Sequence, residues 1–73
     1  MRADFSDSRP LVNKLGLTPR EAEVLLWVAQ GKSNSEIGSI LGSAESTVKK
    51  HLENVYEKLG VRNRTAAVAK LQR

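Results

Sequence analysis

One four-residue punctuation occurs twice in this chain, and each time it fixes where a helix begins. Thr18-Pro19-Arg20-Glu21 places a hydroxyl at a helix N-cap and a carboxylate three residues later. Each of those side chains can satisfy one backbone N–H at the helix start. Proline at the first helical position, where an amide donor would have no partner, strengthens the signal. Ser33-Asn34-Ser35-Glu36 repeats the box. No stretch alternates apolar and polar residues with β-branched enrichment, so strand signals are absent. The expected fold is all-α.

The first box predicts a helix to about Gln30, stopped by Gly31. Its apolar residues Ala22, Val24, Leu25, Leu26, Val28 and Ala29 cover a wide face, which makes it the central packing helix, with Trp27 at the edge of that face. Glu21 falls on the inward side, and a partly buried carboxylate needs a cation. Lys58 and Arg64 are the candidates. The second helix is short, because Gly42 follows soon after. Ile37, Ile40 and Leu41 form one stripe at i, i+3 and i+4. Gly38 within it costs about 0.5–1 kcal/mol relative to alanine, which a close helix–helix approach would justify. After a turn of about three residues, a third helix is predicted from about Glu45 to Leu59. Val48, Leu52, Val55 and Leu59 give it a regular core stripe, and Gly60 stands where a left-handed C-cap is expected. A fourth helix is expected from about Arg64 to Gln72, capped by Asn63, with Ala67, Val68 and Leu71 facing inward. Residues 1–16 read as a flexible lead-in or linker remnant and residues 17–73 as one compact four-helix domain.

Several function classes are excluded by composition. There is no cysteine and a single histidine, His51, so thiolate chemistry and cysteine or multi-histidine metal sites are ruled out. No Ser/His/Asp set, catalytic carboxylate pair or phosphate-cradling glycine loop is present, so the chain is not expected to be an enzyme and no cofactor is expected. No apolar run approaches the roughly 20 residues needed to cross a bilayer, and the N-terminus lacks the apolar core of a signal peptide. No membrane role is expected, and the cytoplasm is the default compartment. The net charge is +4. The whole excess falls in residues 44–73, where Lys49, Lys50, Lys58, Arg62, Arg64, Lys70 and Arg73 outnumber Glu45, Glu53 and Glu57. A one-sided basic excess suggests an anionic partner, nucleic acid first.

Helices two and three, with the short glycine-containing turn between them, have the layout of a helix-turn-helix. In such a unit the second helix enters the DNA major groove and its N-terminal residues meet the base edges. Opposite the stripe of the third helix lie Ser46, Lys50, Glu53 and Glu57, flanked by Thr47, Asn54 and Lys49. Lysine can donate to guanine, asparagine can pair with adenine, and glutamate can accept from cytosine. A solvated outer face is the plain alternative. At the start of helix two, backbone N–H groups and the positive dipole end sit beside Ser33, Asn34 and Lys32, a setting suited to phosphate. Ser33 could also be only an N-cap. His51, at the boundary of the core stripe, could donate to phosphate or be a satisfied boundary residue.

LTPREAEVLLWVAQGKSNSEIGSILG followed by STVKKHLENVYEKLGVRNRTAAV resembles the LuxR-type helix-turn-helix domain of bacterial transcriptional regulators. The resemblance covers about Leu17 to Leu71. It is carried by Leu17-Thr18-Pro19-Arg20-Glu21, Gly31, Asn34, Glu36-Ile37, Thr47-Val48-Lys49, His51, Lys58-Leu59 and Val61. It implies a four-helix fold that binds double-stranded DNA through its third helix. Lys49, Lys50 and Glu53 are then the expected base-reading residues. Lys32, Ser33, Asn34, Ser46, Thr47, His51, Asn54 and Arg64 are expected at the DNA backbone. The resemblance also implies dimeric binding through the last helix, with Val68, Leu71 and Gln72 at a weak interface. RNA polymerase is a further candidate partner. Three positions depart from the pattern. Ser43 replaces an apolar residue, Ala44 replaces a capping serine, and Gly38 replaces alanine, so the start of helix three is left open. A module that keeps the fold but binds protein rather than DNA is the competing reading, favoured by Glu53 and Glu57.

Overall fold

The computed structural model describes residues 14–71. Most of the expected lead-in, and Gln72 and Arg73 at the other end, lie outside the described residues. Among the described residues the order of elements is α1 (Pro19–Ala29), α2 (Asn34–Leu41), α3 (Glu45–Leu59) and α4 (Arg64–Leu71). No strand occurs among the described residues.

Both capping boxes close. Thr18 Oγ1 accepts from the Glu21 amide at 3.2 Å, and the Glu21 carboxylate accepts from the Thr18 amide at 3.0 Å. The box at Ser33 and Glu36 has the same reciprocal bonds, at 3.1 and 2.8 Å. α1 ends one residue before the expected point, with Gln30 as its C-cap. α3 has the expected bounds and stops at Gly60, whose φ of 69° and ψ of 34° are the left-handed pair. Asn63 caps α4, its Oδ1 accepting from the Ala66 amide at 2.8 Å.

The core forms on two sides of α1. Ala22 and Leu25 pack with Leu17, Val55 and Ala67. Val24 and Val28 pack with Ile37, Val48 and Leu52. The α3 stripe is thereby divided: its first half holds α2 in place, and Val55 faces α4. Tyr56 is half-buried and touches both groups. Trp27 is half-buried, at the edge of its face as expected.

Several expectations need correction. Ala29 is exposed, because α1 ends there. Ile40 is 45% exposed despite its stripe spacing. The inward side of α2 is centred on Ile37, Gly38 and Leu41, and at 100° per residue Ile40 lies about 110° away from that centre. The closest neighbour of Gly38 is the turn that leads into α3: a Cβ on Gly38 would stand 2.5 Å from the Ser43 carbonyl oxygen. The first residue of that helix comes next, its Glu45 amide nitrogen 3.5 Å from where the Cβ would stand. Of the two cations that could answer Glu21, the fold selects Lys58, whose Nζ donates to Glu21 Oε1 at 2.8 Å. Burial of Glu21 pushes its pKa up. The bond from Lys58, the Thr18 amide and hydroxyl, and the lysine charge outweigh this, and the net shift is downward.

Candidate nucleic-acid interface

α2 and α3 are joined by residues 42–44. Gly42 turns the chain with φ 69° and ψ 33°, a conformation that L side chains resist. The Ser43 amide then donates back to the Gly38 carbonyl at 2.8 Å. Ala44 is the N-cap of α3 in extended backbone, without a side-chain cap bond. The missing capping serine therefore leaves the helix start where it was expected. It removes a stabilising bond rather than shifting the register.

Val48, Leu52 and Val55 are buried, which fixes the rotation of α3 about its axis. Lys49, Lys50 and Glu53 are consequently exposed, as are Ser46, Thr47 and Glu57. His51 and Asn54 are half-buried on the flanks. The three expected base readers thus lie on the outward side, and the two lysines precede the two glutamates along the helix.

The start of α2 is built more tightly than its sequence suggests. The Ser33 amide is taken by Glu36, and the Glu36 amide by Ser33 Oγ. The bond from the Ser33 amide is the main reason the Glu36 carboxyl titrates below its ordinary value. A helix offers no internal partner to the amides of its first two residues, here Asn34 and Ser35. Those are the backbone donors that remain for an anion. Ser35 is not among the sequence-expected contacts, and its second place in α2 is the signal that identifies it. Ser33 is exposed, and Lys32 and Asn34 are half-buried.

Arg64 is half-buried at the first position of α4, and its guanidinium faces α2. Nη1 donates to Asn34 Oδ1 at 2.8 Å, and Nη2 donates to the Lys32 carbonyl oxygen. Nothing in the sequence pairs these residues, which are 30 and 32 positions apart. Val68 and Leu71 are half-buried and pack on the molecule's own core. Val68 also lines an open depression of about 380 Å³ between the end of α1 and α4, with Val28, Ala29, Gly31, Arg64, Thr65 and Ala69. Gln72 lies outside the described residues. Among the described residues no His/Asp/Glu group could hold a metal ion, and no helix is long and apolar enough to cross a membrane.

The profile of the family described as "Bacterial regulatory proteins, luxR family" matches residues 15–71. The HTH-type quorum sensing-dependent transcriptional regulator RpaR of Rhodopseudomonas palustris is 55% identical over 64 residues, covering 86% of this chain and 26% of that protein. The transcriptional activator protein VanR of Vibrio anguillarum is 48% identical over 54 residues, covering 74% of this chain and 22% of that protein. The nitrate/nitrite response regulator protein NarP of Escherichia coli is 53% identical over 51 residues, covering 70% of this chain and 24% of that protein. The chain thus spans about a quarter of the length of these relatives. No solved structure matches it.

Proposed function

Because this chain belongs to the luxR family of bacterial regulatory proteins, we propose that it is a sequence-specific reader of double-stranded DNA in transcription regulation, with α3 in the major groove. One observation carries this reading. Burial of Val48, Leu52 and Val55 turns Lys49, Lys50 and Glu53 outward, on the helix that directly follows the anion-ready start of α2. Lys49, Lys50 and Glu53 read base edges. Lys32, Ser33, Asn34, Ser46, Thr47, His51 and Asn54 meet the sugar-phosphate backbone, with Arg64 behind Asn34.

The relatives are named as regulators and activators, which supports a binding role. RpaR and NarP are named for different signals yet both match here. The segment therefore supplies what such regulators share, and the signal acts elsewhere. A homodimer forms weakly through α4, with Val68, Leu71 and Gln72 at its surface, and two copies occupy a two-fold related site. RNA polymerase is the further partner of an activator, and the cytoplasm is where both partners reside.

A titration of the isotope-labelled protein with a generic DNA duplex at low salt tests this reading, because NMR detects even millimolar affinity. Shifts concentrated on Ser33–Asn34 and Ser46–Asn54, reversed by salt, are expected. Four to six phosphate contacts give a log–log salt slope of roughly −4 to −5. Absence of those shifts refutes the proposal and moves the protein-binding module, with Glu53 and Glu57 outward, to first place.

A further inference from the structure

We propose that Arg64 serves DNA binding as a positioning residue: it grips Asn34 and Lys32 so that the Asn34 amide presents its N–H donors to phosphate. The inference rests on the DNA reading above and gives Arg64 a different role from a direct phosphate contact.

A guanidinium has five N–H donors and no acceptor, whereas an asparagine amide has one acceptor oxygen and one donor nitrogen. Arg64 Nη1 lies 2.8 Å from the Asn34 side chain. Only the amide oxygen can face it, so the Asn34 nitrogen faces away. Phosphate oxygens accept and never donate. Of the two orientations available to the Asn34 amide, Arg64 therefore selects the one that can bind phosphate. An ungripped asparagine would share its population between the two.

The second arm of the fork makes the placement rigid. Nη2 holds the Lys32 carbonyl oxygen. Asn34 is the first residue of α2 and Ser33 is its N-cap. One planar group thus holds the chain on both sides of that cap, where the free amides of Asn34 and Ser35 begin. The bond to the Lys32 carbonyl also offsets a negative dipole that would otherwise stand near the incoming anion. Arg64 is itself anchored, because α4 packs on α1 and α3. A lysine at position 64 keeps the charge but cannot span two acceptors in the fixed geometry of a fork.

The test uses Arg64→Lys, Asn34→Ala and the double variant, with a generic duplex of about two helical turns as probe. In the free protein, the Asn34 side-chain amide resonances of the wild type should be displaced from solvent-exposed positions, and Arg64→Lys should return them there. With DNA, Arg64→Lys should weaken binding roughly three- to tenfold, the range for loss of one hydrogen bond, with an unchanged salt slope. In the Asn34→Ala background the same substitution should cost little further. A merely structural role would lower stability and move the Asn34 amide signals, yet leave DNA affinity unchanged at a temperature where the variant is fully folded. Wild-type affinity in Arg64→Lys overturns the inference. So does a loss that persists undiminished in Asn34→Ala, or a slope lowered by about 0.9 in the charge-removing variant Arg64→Gln, which marks a direct phosphate contact. If the wild type itself fails to bind the duplex, the DNA reading falls and this inference with it, an outcome distinct from either of those.

Discussion

Replacing Gly38 by alanine should destabilise this protein, although helix propensity points the other way. In the interior of α2, alanine is favoured over glycine by about 0.5–1 kcal/mol. The geometry opposes it. The new Cβ would stand 2.5 Å from the Ser43 carbonyl oxygen, with the Glu45 amide nitrogen at 3.5 Å and the Ala44 carbonyl carbon at 3.6 Å. Ordinary C–H···O contacts lie at about 3.3–3.6 Å, so the oxygen must retreat by most of an ångström. It belongs to backbone and cannot rotate away as a side chain would. The Ser43 amide is bonded to the Gly38 carbonyl at 2.8 Å, and Gly42 is fixed in the left-handed turn. Overpacking of this kind costs about 1–3 kcal/mol. The net expectation is a loss of about 0.5–2 kcal/mol, or roughly 3–12 °C in Tm for a domain of this size. Urea unfolding followed by circular dichroism measures it. Ser39→Ala, at an exposed position of the same helix, serves as the propensity control and should be neutral or slightly stabilising. The midpoint should fall for Gly38→Ala with an unchanged slope. A Gly38→Ala variant as stable as Ser39→Ala would refute the reasoning, since the turn would then yield without cost. A duplex titration should also show weaker binding, because the displaced residues carry the start of α3.

Four further expectations follow from the same geometry. Ala44→Ser should add about 0.5–1 kcal/mol, because the extended N-cap backbone is ready for a hydroxyl and has no side-chain cap; thermal unfolding reads it directly. Lys58→Ala should cost about 1–2 kcal/mol. Glu21 is only 4% exposed, while the partly exposed lysine tempers the figure below that of a fully buried pair. Because the pKa of Glu21 is lowered on folding, its contribution is complete above the unfolded value of 4.5 and is lost as pH falls through the folded value. Glu21→Gln should therefore flatten the urea midpoint's dependence on pH below about 4.5. Lys49→Ala and Lys50→Ala should each weaken binding to a selected operator by about 1–3 kcal/mol and relax its sequence preference. The loss on a generic duplex should be smaller, as competition between the two duplexes would show.

The helices were legible in the sequence because their signals act within four residues. Capping boxes, the Asn63 cap, the Gly60 stop and the α3 stripe all depend on groups brought together by one turn of helix. The same stripe already separated Lys49, Lys50 and Glu53 from Val48, Leu52 and Val55, so the outward face was readable before any packing was known. What needed the tertiary structure was every relation between helices. Lys58 rather than Arg64 answers Glu21 across 37 residues. Arg64 turns instead to Asn34 and Lys32, 30 and 32 positions away. Ile40 points outward although its spacing matches Ile37, because an eight-residue helix packs along one line and the position of that line is set by α1 and α3. Gly38 answers to the turn backbone, a neighbour that spacing could not name. Local hydrogen bonding and periodicity determine where the helices lie along the chain. Their rotation and approach are set by how the apolar faces fill a shared core, and only that arrangement decides which distant polar groups meet.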